Sequence, residues 1–335
     1  MHIALCHNAL IPPPKYGGTE RIVYWLAKAL LALGHKVTLI AGDGSAVPGA
    51  DFVLHRDGVS IDELVPSNAD LIHMWTTPAA PPRSKPFLVT IQGNGQQGET
   101  FHPNTLFISK RHAENHGARH FVYNGIDADD YVCEPKRGDY AVFLAKASWS
   151  VKNLDGAIAV ARAAGLRLEV LGSRDWPLGL HRWRPTLRGV RYRGMVDDRE
   201  KREVLSRARA LLFPVRWHEP FGIAMTEALA SGCPVIGTPY GSLPEIVSPE
   251  VGVLSADGTE LVRALSGAGR FAPQRCRARV LEGFSHLDMA RSYLRYYESV
   301  LATGSIAKGE APSAPRTTPG CEGLSSKSLL PWRSP

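Results

Sequence analysis

The stretch GGTERIVYWLAKALLALGHKVTLIA (17–41) decides the fold. Ile22, Val23, Leu26, Ala27 and Leu30 recur at helical spacing, and HKVTLIAG (35–42) behind them reads as a strand. Ahead of the glycines, HIALCH (2–7) reads as another strand. Strand, helix, strand is the unit of a parallel sheet, because a crossover helix must carry the chain back before the next strand can lie alongside the first.

The pattern continues outward. Strands are expected at DLIHMW (70–75), PFLVTIQG (86–93), TLFIS (105–109) and HFVYNGID (120–127). ADDYVCEPKRGD (128–139) is polar and broken by Pro135 and Gly138, which makes it the best linker. The alternation restarts with YAVFLAKA (140–147), LRLEVLG (166–172), VRYRGMV (190–196), ALLFPV (210–215) and CPVIGT (233–238), with helices at 154–164 and 198–209. The expected fold is α/β, with two Rossmann-like doubly wound domains at 1–133 and 134–284. They would face a cleft where the carboxyl ends of both sheets meet one ligand. Met289, Tyr293, Tyr296, Tyr297, Val300 and Leu301 mark one face of a helix at 285–302, expected to pack back toward the N-terminal domain. The segment 303–335, rich in Ser, Pro, Gly and Thr, reads as a disordered tail.

At 335 residues the chain exceeds the usual size of one core, which favours two domains. No apolar run approaches the roughly 20 residues that cross a bilayer. The opening MHIALCHNALIPPPKYGG has no basic leader, and Cys6, Cys133, Cys233, Cys276 and Cys321 are scattered without metal-ligand spacing. A cytoplasmic protein with reduced thiols and no structural metal is therefore expected. The net charge of +7 suits an anionic partner, such as a nucleotide, an acidic membrane surface met peripherally or a nucleic acid, and the excess alone does not choose among them.

HEPFGIAMTEALASG (218–232) raises a separate question. It has the apolar stripe of a buried helix yet contains Glu219 and Glu227, and ionised carboxylates are seldom buried without partners. Pro220 suits the first helical position, so Glu219 should stand at the helix mouth, Glu227 about two turns inside, and Gly232 at the end. At 1.5 Å per residue the two acids would lie roughly 12 Å apart along the axis, the reach from sugar to ribose in a nucleotide-diphosphate sugar. The amides of Phe221, Gly222 and Ile223 would then face the ligand's anionic part. Taken alone, such a Glu pair is more often a solvated face.

Glu219, seven residues, then Glu227, within EPFGIAMTEALASGCPVIGT, resembles the E-x7-E signature of the retaining GT-B glycosyltransferases, in particular family 4, the group 1 type. The glycine loop at Gly17 and Gly18, VYNGID (122–127), FLAKASWSVKN (143–153) and GSLPEIV (241–247) are similar to further motifs of that family, in the same order. The resemblance implies transfer of a sugar from a nucleotide-diphosphate donor to an acceptor, with retention of configuration and no metal or other cofactor. It gives Glu219 and the amides after it to the donor sugar, Glu227 to the ribose hydroxyls, Lys146 and Lys152 to the diphosphate, and Gly17 and Gly18 to close backbone approach. Two departures stand out. Lys146 replaces the family's Arg, a point charge in place of a bidentate fork. Gln92, before Gly93 on the acceptor or sugar side, replaces a His and cannot titrate. The acceptor is left open among a saccharide, a lipid and another small molecule.

Other features read as structural. His73 and His218 are expected to be hydrogen-bonding groups, and the Arg-rich HRWRPTLRGVRYRG (181–194) a solvated face with no accompanying nucleic-acid motif. AGDGSAVPG (41–49) lacks the G-x-G-x-x-G spacing of a dinucleotide dehydrogenase. Two rival functions share the same plan: a nucleotide-sugar epimerase or hydrolase, and a non-catalytic nucleotide-binding relative.

Overall fold

The computed structural model of the protein describes residues 1–335 apart from 16, 97, 136, 173–188, 308–315 and 318–331, with backbone only at 316–317. The chain forms two compact units. One is built from Met1–Pro13, Gly17–Asp127 and the chain from Phe284, the other mainly from Ala128–Gly283. The expected linker 128–139 lies with the second unit.

The first unit runs β1 (His2–Cys6), α1 (Gly18–Ala32), β2 (Lys36–Ala41), β3 (Asp51–Leu54), α2 (Ile61–Leu64), β4 (Leu71–Met74), β5 (Phe87–Thr90), β6 (Thr100–Phe101), β7 (Thr105–Leu106) and α3 (Lys110–Asn115). Among the described residues its main sheet has the order β3-β2-β1-β4-β5-β7. All of its pairings are parallel, with Ile3 opposite Val37 on one side and Leu71 on the other. The α1 stripe Ile22, Val23, Leu26, Ala27 and Leu30 is fully buried, as its periodicity requires, and each large apolar side chain contributes roughly 1.5–3 kcal/mol relative to exposure.

HFVYNGID (120–127) does not form the expected strand. It makes single parallel bridges, Phe107 with Phe121 and Ile126 with Ser285. The second bridge passes so close that a Cβ on Gly125 would stand 2.2 Å from the Ser285 carbonyl oxygen.

The second unit repeats the plan with β8 (Tyr140–Leu144), α4 (Leu154–Ala163), β9 (Arg167–Leu171), β10 (Val190–Tyr192), α5 (Asp198–Arg207), β11 (Leu211–Phe213), α6 (Ile223–Ala230), β12 (Val235–Gly237), α7 (Leu243–Ile246), β13 (Gly252–Leu254), α8 (Gly258–Ser266) and α9 (Pro273–Leu281). Its parallel sheet has the order β10-β9-β8-β11-β12-β13. The short strands β3 and β13, absent from the sequence reading, sit at one edge of each sheet.

The last long helix, α10 (His286–Thr303), belongs to the first unit and packs on α1. Tyr293, Tyr297 and Val300 are fully buried, whereas Leu301, expected on the same face, is 38% exposed. Tyr297 Oη lies 2.7 Å from His73 Nδ1, and His73 Nε2 lies 2.8 Å from Thr90 Oγ1, which donates to Tyr293 Oη. His73 is thus a core histidine, its two nitrogens satisfied and its ring stacked on Trp75 at 4.0 Å.

Most of the tail expected to be disordered, and 181–188 of the Arg-rich stretch, lie outside the described residues. Cys6, Cys133, Cys233 and Cys276 are free thiols. No helix among the described residues is long and apolar enough to cross a membrane.

Candidate functional site

In both sheets the strand order reverses direction once, between β1 and β4 in the first and between β8 and β11 in the second. Open α/β sheets bind ligands beyond the carboxyl ends of their strands at such a point, where the two neighbouring connections leave to opposite faces. Lys146 and Lys152 follow β8 and Glu219 follows β11, the two strands at the second reversal, whereas Gln92 and Gly93 follow β5 in the first sheet.

In the second unit, the chain leaving β8 makes two tight turns, Lys146 carbonyl to Trp149 N–H and Trp149 carbonyl to Lys152 N–H. Asn153 follows in the left-handed conformation (φ 57°) and caps α4, its Oδ1 accepting from Gly156 and its Nδ2 donating to the Pro214 carbonyl beyond β11. Arg216 N–H donates to the Val151 carbonyl at 2.7 Å. These bonds tie the β8 loop to the β11 loop and bring Lys152 to Glu219.

Glu219 is buried, and its Oε2 accepts from Lys152 Nζ and from Trp217 Nε1, each at 2.6 Å. The Lys152 ammonium also lies 4.7 Å from the Trp217 ring centre, so the indole serves the pair twice, as donor and as π face. The exposed Lys146 lies 5.0 Å from the Trp149 ring centre, and Trp149 meets Trp217 edge-on at 6.1 Å.

The helix does not start where Pro220 suggested. It begins at Ile223, with Gly222 (φ 82°) at its N-cap, so Glu219 lies in the preceding loop and helical rise does not set its separation from Glu227. The cause is tertiary. The turn at Gly241 and Ser242 grips the loop, Ser242 N–H donating to the Glu219 carbonyl and Ser242 Oγ to the Phe221 carbonyl. A Cβ at Gly241 would fall 2.3 Å from the Glu219 backbone, and its φ of 65° also favours glycine. Here the late glycine-containing turn finds its use.

The other end of α6 behaves as expected. Cys233 N–H bonds to the Ala228 carbonyl and Gly232 N–H to the Leu229 carbonyl, a Schellman closure with Gly232 at φ 74°.

Glu227, in the second turn of α6, is also buried rather than solvated. Its Oε1 accepts from Lys201 Nζ at 2.6 Å and from Tyr131 Oη at 2.8 Å. Burial, and next the Glu227 carboxylate, push the Tyr131 phenol well above its ordinary value, so it remains a donor at any physiological pH. Lys201 is itself buried and bridges on to Asp198 at 2.8 Å. Tyr131, Lys201 and Trp217 were not singled out from the sequence. Lys201 does stand three and four positions before the buried Val204 and Leu205, the one signal that it faces inward.

In the first unit a cavity of about 460 Å³ opens beyond β1, β4 and β5. Gln92 and Gly93 line it, as do His7 and Trp75. Gln92 is not free to serve a substrate with its whole amide, because it exchanges two hydrogen bonds with Asn124 at 2.7 and 3.0 Å. The Gly93 carbonyl accepts from His112 Nε2, and Gly95 N–H donates to His116 Nε2. Burial holds both imidazoles below their ordinary value, His112 far below it. Gly17 is the N-cap of α1 at φ 152°, where a Cβ would meet Pro13 at 2.7 Å. Gly17 and Gly18 thus belong to the first unit, and Lys146, Lys152, Glu219 and Glu227 to the second. Among the described residues no group of three or more His, Cys, Asp or Glu side chains is placed to hold a metal.

Residues 140–268 match the family model described as glycosyl transferases group 1. A glycogen synthase of Mycobacterium tuberculosis is 29% identical over 147 residues, covering 40% of this chain and 35% of that protein. Matches of this kind span 32% and 35% of the length of the first curated relatives. Among solved structures, AviGT4, a glycosyltransferase involved in avilamycin A biosynthesis, is similar with a TM-score of 0.77 and 25% identity, over 90% of this chain and 98% of that one. The Anabaena protein HepE, solved in complex with UDP and glucose, shares the fold with a TM-score of 0.64 at 15% identity, over 89% of this chain and 100% of that one. The fold is GT-B, two Rossmann-like α/β units, and these likenesses support a glycosyltransferase whose second unit carries the match to the group 1 family.

Proposed function

We propose that the protein is a retaining glycosyltransferase of the family 4 type, moving a hexosyl group from a nucleotide-diphosphate donor to an acceptor. The observation that carries this reading is the pair of buried carboxylates beyond the second sheet, each with one oxygen held by an ammonium. Both bonds to Glu219 end on Oε2, and the bonds from Lys201 and Tyr131 to Glu227 end on Oε1. The remaining oxygens, Oε1 of Glu219 and Oε2 of Glu227, are left to accept from ligand hydroxyls, those of the donor sugar at Glu219 and of the ribose at Glu227. Clamping one oxygen fixes the other, and such preorganised groups cost no reorganisation when charge develops.

The leaving diphosphate needs cations or helix amides in the transition state. Exposed Lys146 supplies a positive charge directly, and Lys152, already neutralised in part by Glu219, shares its protons with the departing oxygen. The amides of Phe221, Gly222 and Ile223 at the start of α6 add the helix's positive end. Gly17 and Gly18 allow close backbone approach. The glycogen synthase likeness and the UDP and glucose bound by HepE agree with a nucleotide-sugar donor. The chemistry needs no divalent metal, and the reading places the protein in the cytoplasm.

The test is a mass-spectrometric screen of UDP-, GDP- and ADP-sugars for binding and nucleotide release, with and without added sugars as acceptors. One donor is expected to bind to the wild type, and Glu227→Ala is expected to lose at least tenfold in its affinity by calorimetry. An unchanged affinity would overturn the role given to Glu227. Release equally fast without any acceptor would favour a hydrolase.

A further inference from the structure

Resting on the transferase reading, the chemistry of the first-unit cavity narrows the acceptor. The cavity walls carry hydroxyls at Thr19, Thr76 and Thr77, the last two exposed, with His7, Asn94 and Glu99 beside them. The apolar lining is small: Trp75 is 5% exposed and Ile91 half-buried. No Lys or Arg lines the cavity among the described residues.

Two features of the wall could supply positive charge, the His7 imidazole and the N-terminus of α1. His7 Nδ1 accepts from Ala9 N–H at 3.0 Å, which places the ring proton on Nε2 as a neutral donor. Burial holds this imidazole below its ordinary value, with Glu20 pulling it up and His55 pushing it down. Thr19 brings the N-terminus of α1 to the wall, and Glu20 in the same turn meets the positive end of that helix. Among the described residues that line the cavity, the formal charge is therefore that of Glu99, with Glu20 next to Thr19.

We infer that this cavity binds a non-anionic, hydroxyl-rich small molecule, a neutral or amine-bearing sugar, and rejects a phosphorylated sugar or a lipid. Hydroxyls find donors and acceptors on every wall, an ammonium finds Glu99, and a phosphate finds a carboxylate with no cation to offset it. The volume of about 460 Å³ lies within the range of small-molecule pockets, roughly 300–1,000 Å³. Its few apolar groups offer an acyl chain little to bury against.

The test is saturation-transfer NMR and titration on the full chain, without donor, using methyl glucoside, its 2-amino analogue and glucose 6-phosphate as probes. The first two are expected to bind, the amine at least threefold tighter, and the phosphate at least tenfold more weakly than the neutral sugar. Glu99→Gln should remove the preference for the amine over the neutral sugar. Thr76→Trp, at an exposed position, should fill the cavity and abolish binding of both while the thermal midpoint stays put. Phosphate binding as tight as that of the neutral sugar, absence of binding by all three, or wild-type binding by Thr76→Trp would overturn the inference. Because no nucleotide is present, sugar binding without any donor binding would instead count against the transferase reading alone.

Discussion

The two units share one strand order and one reversal point, yet the chemistry beyond their strands is opposite. Beyond the first sheet lie hydroxyls, an amide pair and imidazoles held neutral by burial. Beyond the second lie two buried carboxylates, each locked to an ammonium at 2.6 Å. The fold fixes where a ligand can bind, and the loops decide whether that place is electrostatically quiet or charged. Charge also makes the second place costly to disturb. A buried pair gains little over an apolar isostere, but removing one partner strands the other ion.

The largest effect expected from that contrast is on stability. Lys201→Ala leaves Glu227 buried with only the Tyr131 hydroxyl among its described partners, and should cost about 3–5 kcal/mol by urea unfolding. Thr76→Ala, on the exposed wall of the first-unit cavity, should stay within about 0.5 kcal/mol. Equal costs for the two substitutions would erase the distinction between the units.

How much of this was legible beforehand follows from the range of the interactions. The β1–α1–β2 unit was readable because its signal is local: a period of 3.6 between two short β-rich runs. Glu219 and Glu227 were readable because their spacing sits in one continuous segment. Their partners come from elsewhere, Lys152 from 67 positions away, Lys201 from 26 and Tyr131 from 96. Nothing in ADDYVCEPKRGD tells that its tyrosine is buried against a carboxylate. The start of α6 was misplaced for a related reason. Pro220 obeys a local rule, but the bonds from Ser242 hold Glu219–Phe221 out of the helix. The strand expected at 120–127 fails similarly, because Ser285, the N-cap of α10, takes the place of a neighbouring strand at Ile126.

A second effect, intermediate in size, separates the units by pH. His73 and His112 are fully buried, and desolvation holds both far below 6.5. The unfolded chain takes up their protons as pH falls through about 6.5 while the native state does not, so the unfolded state binds more protons and stability drops with falling pH. Their contribution is complete above 6.5 and is lost below it at about 1.4 kcal/mol per pH unit for each histidine. Urea midpoints between pH 7.5 and 5.5 should show this slope, and His73→Asn, compared with wild type over the same range, should remove its share. A slope unchanged in that variant would mean that the ring is already charged in the fold.

The smallest effect is confined to turnover. Trp217 donates its indole N–H to the same Glu219 oxygen that Lys152 holds, and its ring faces that ammonium at 4.7 Å. Trp217→Phe keeps an aromatic face for the lysine but deletes the donor, so Glu219 is left with one anchor on Oε2 instead of two. A carboxylate with one anchor can rotate, and, in the role proposed for Glu219, a small misplacement lowers the fraction of bound donor in reactive geometry. The turnover number should fall about tenfold, close to 1.4 kcal/mol of activation free energy, with nucleotide affinity unchanged because Glu227 and its partners are untouched. A purely structural tryptophan would lower the thermal midpoint and leave the turnover of the folded fraction as it was. If kcat and donor affinity fall together, Trp217 contacts the nucleotide itself, and the division of labour between the two carboxylates is less strict than their separate anchors imply.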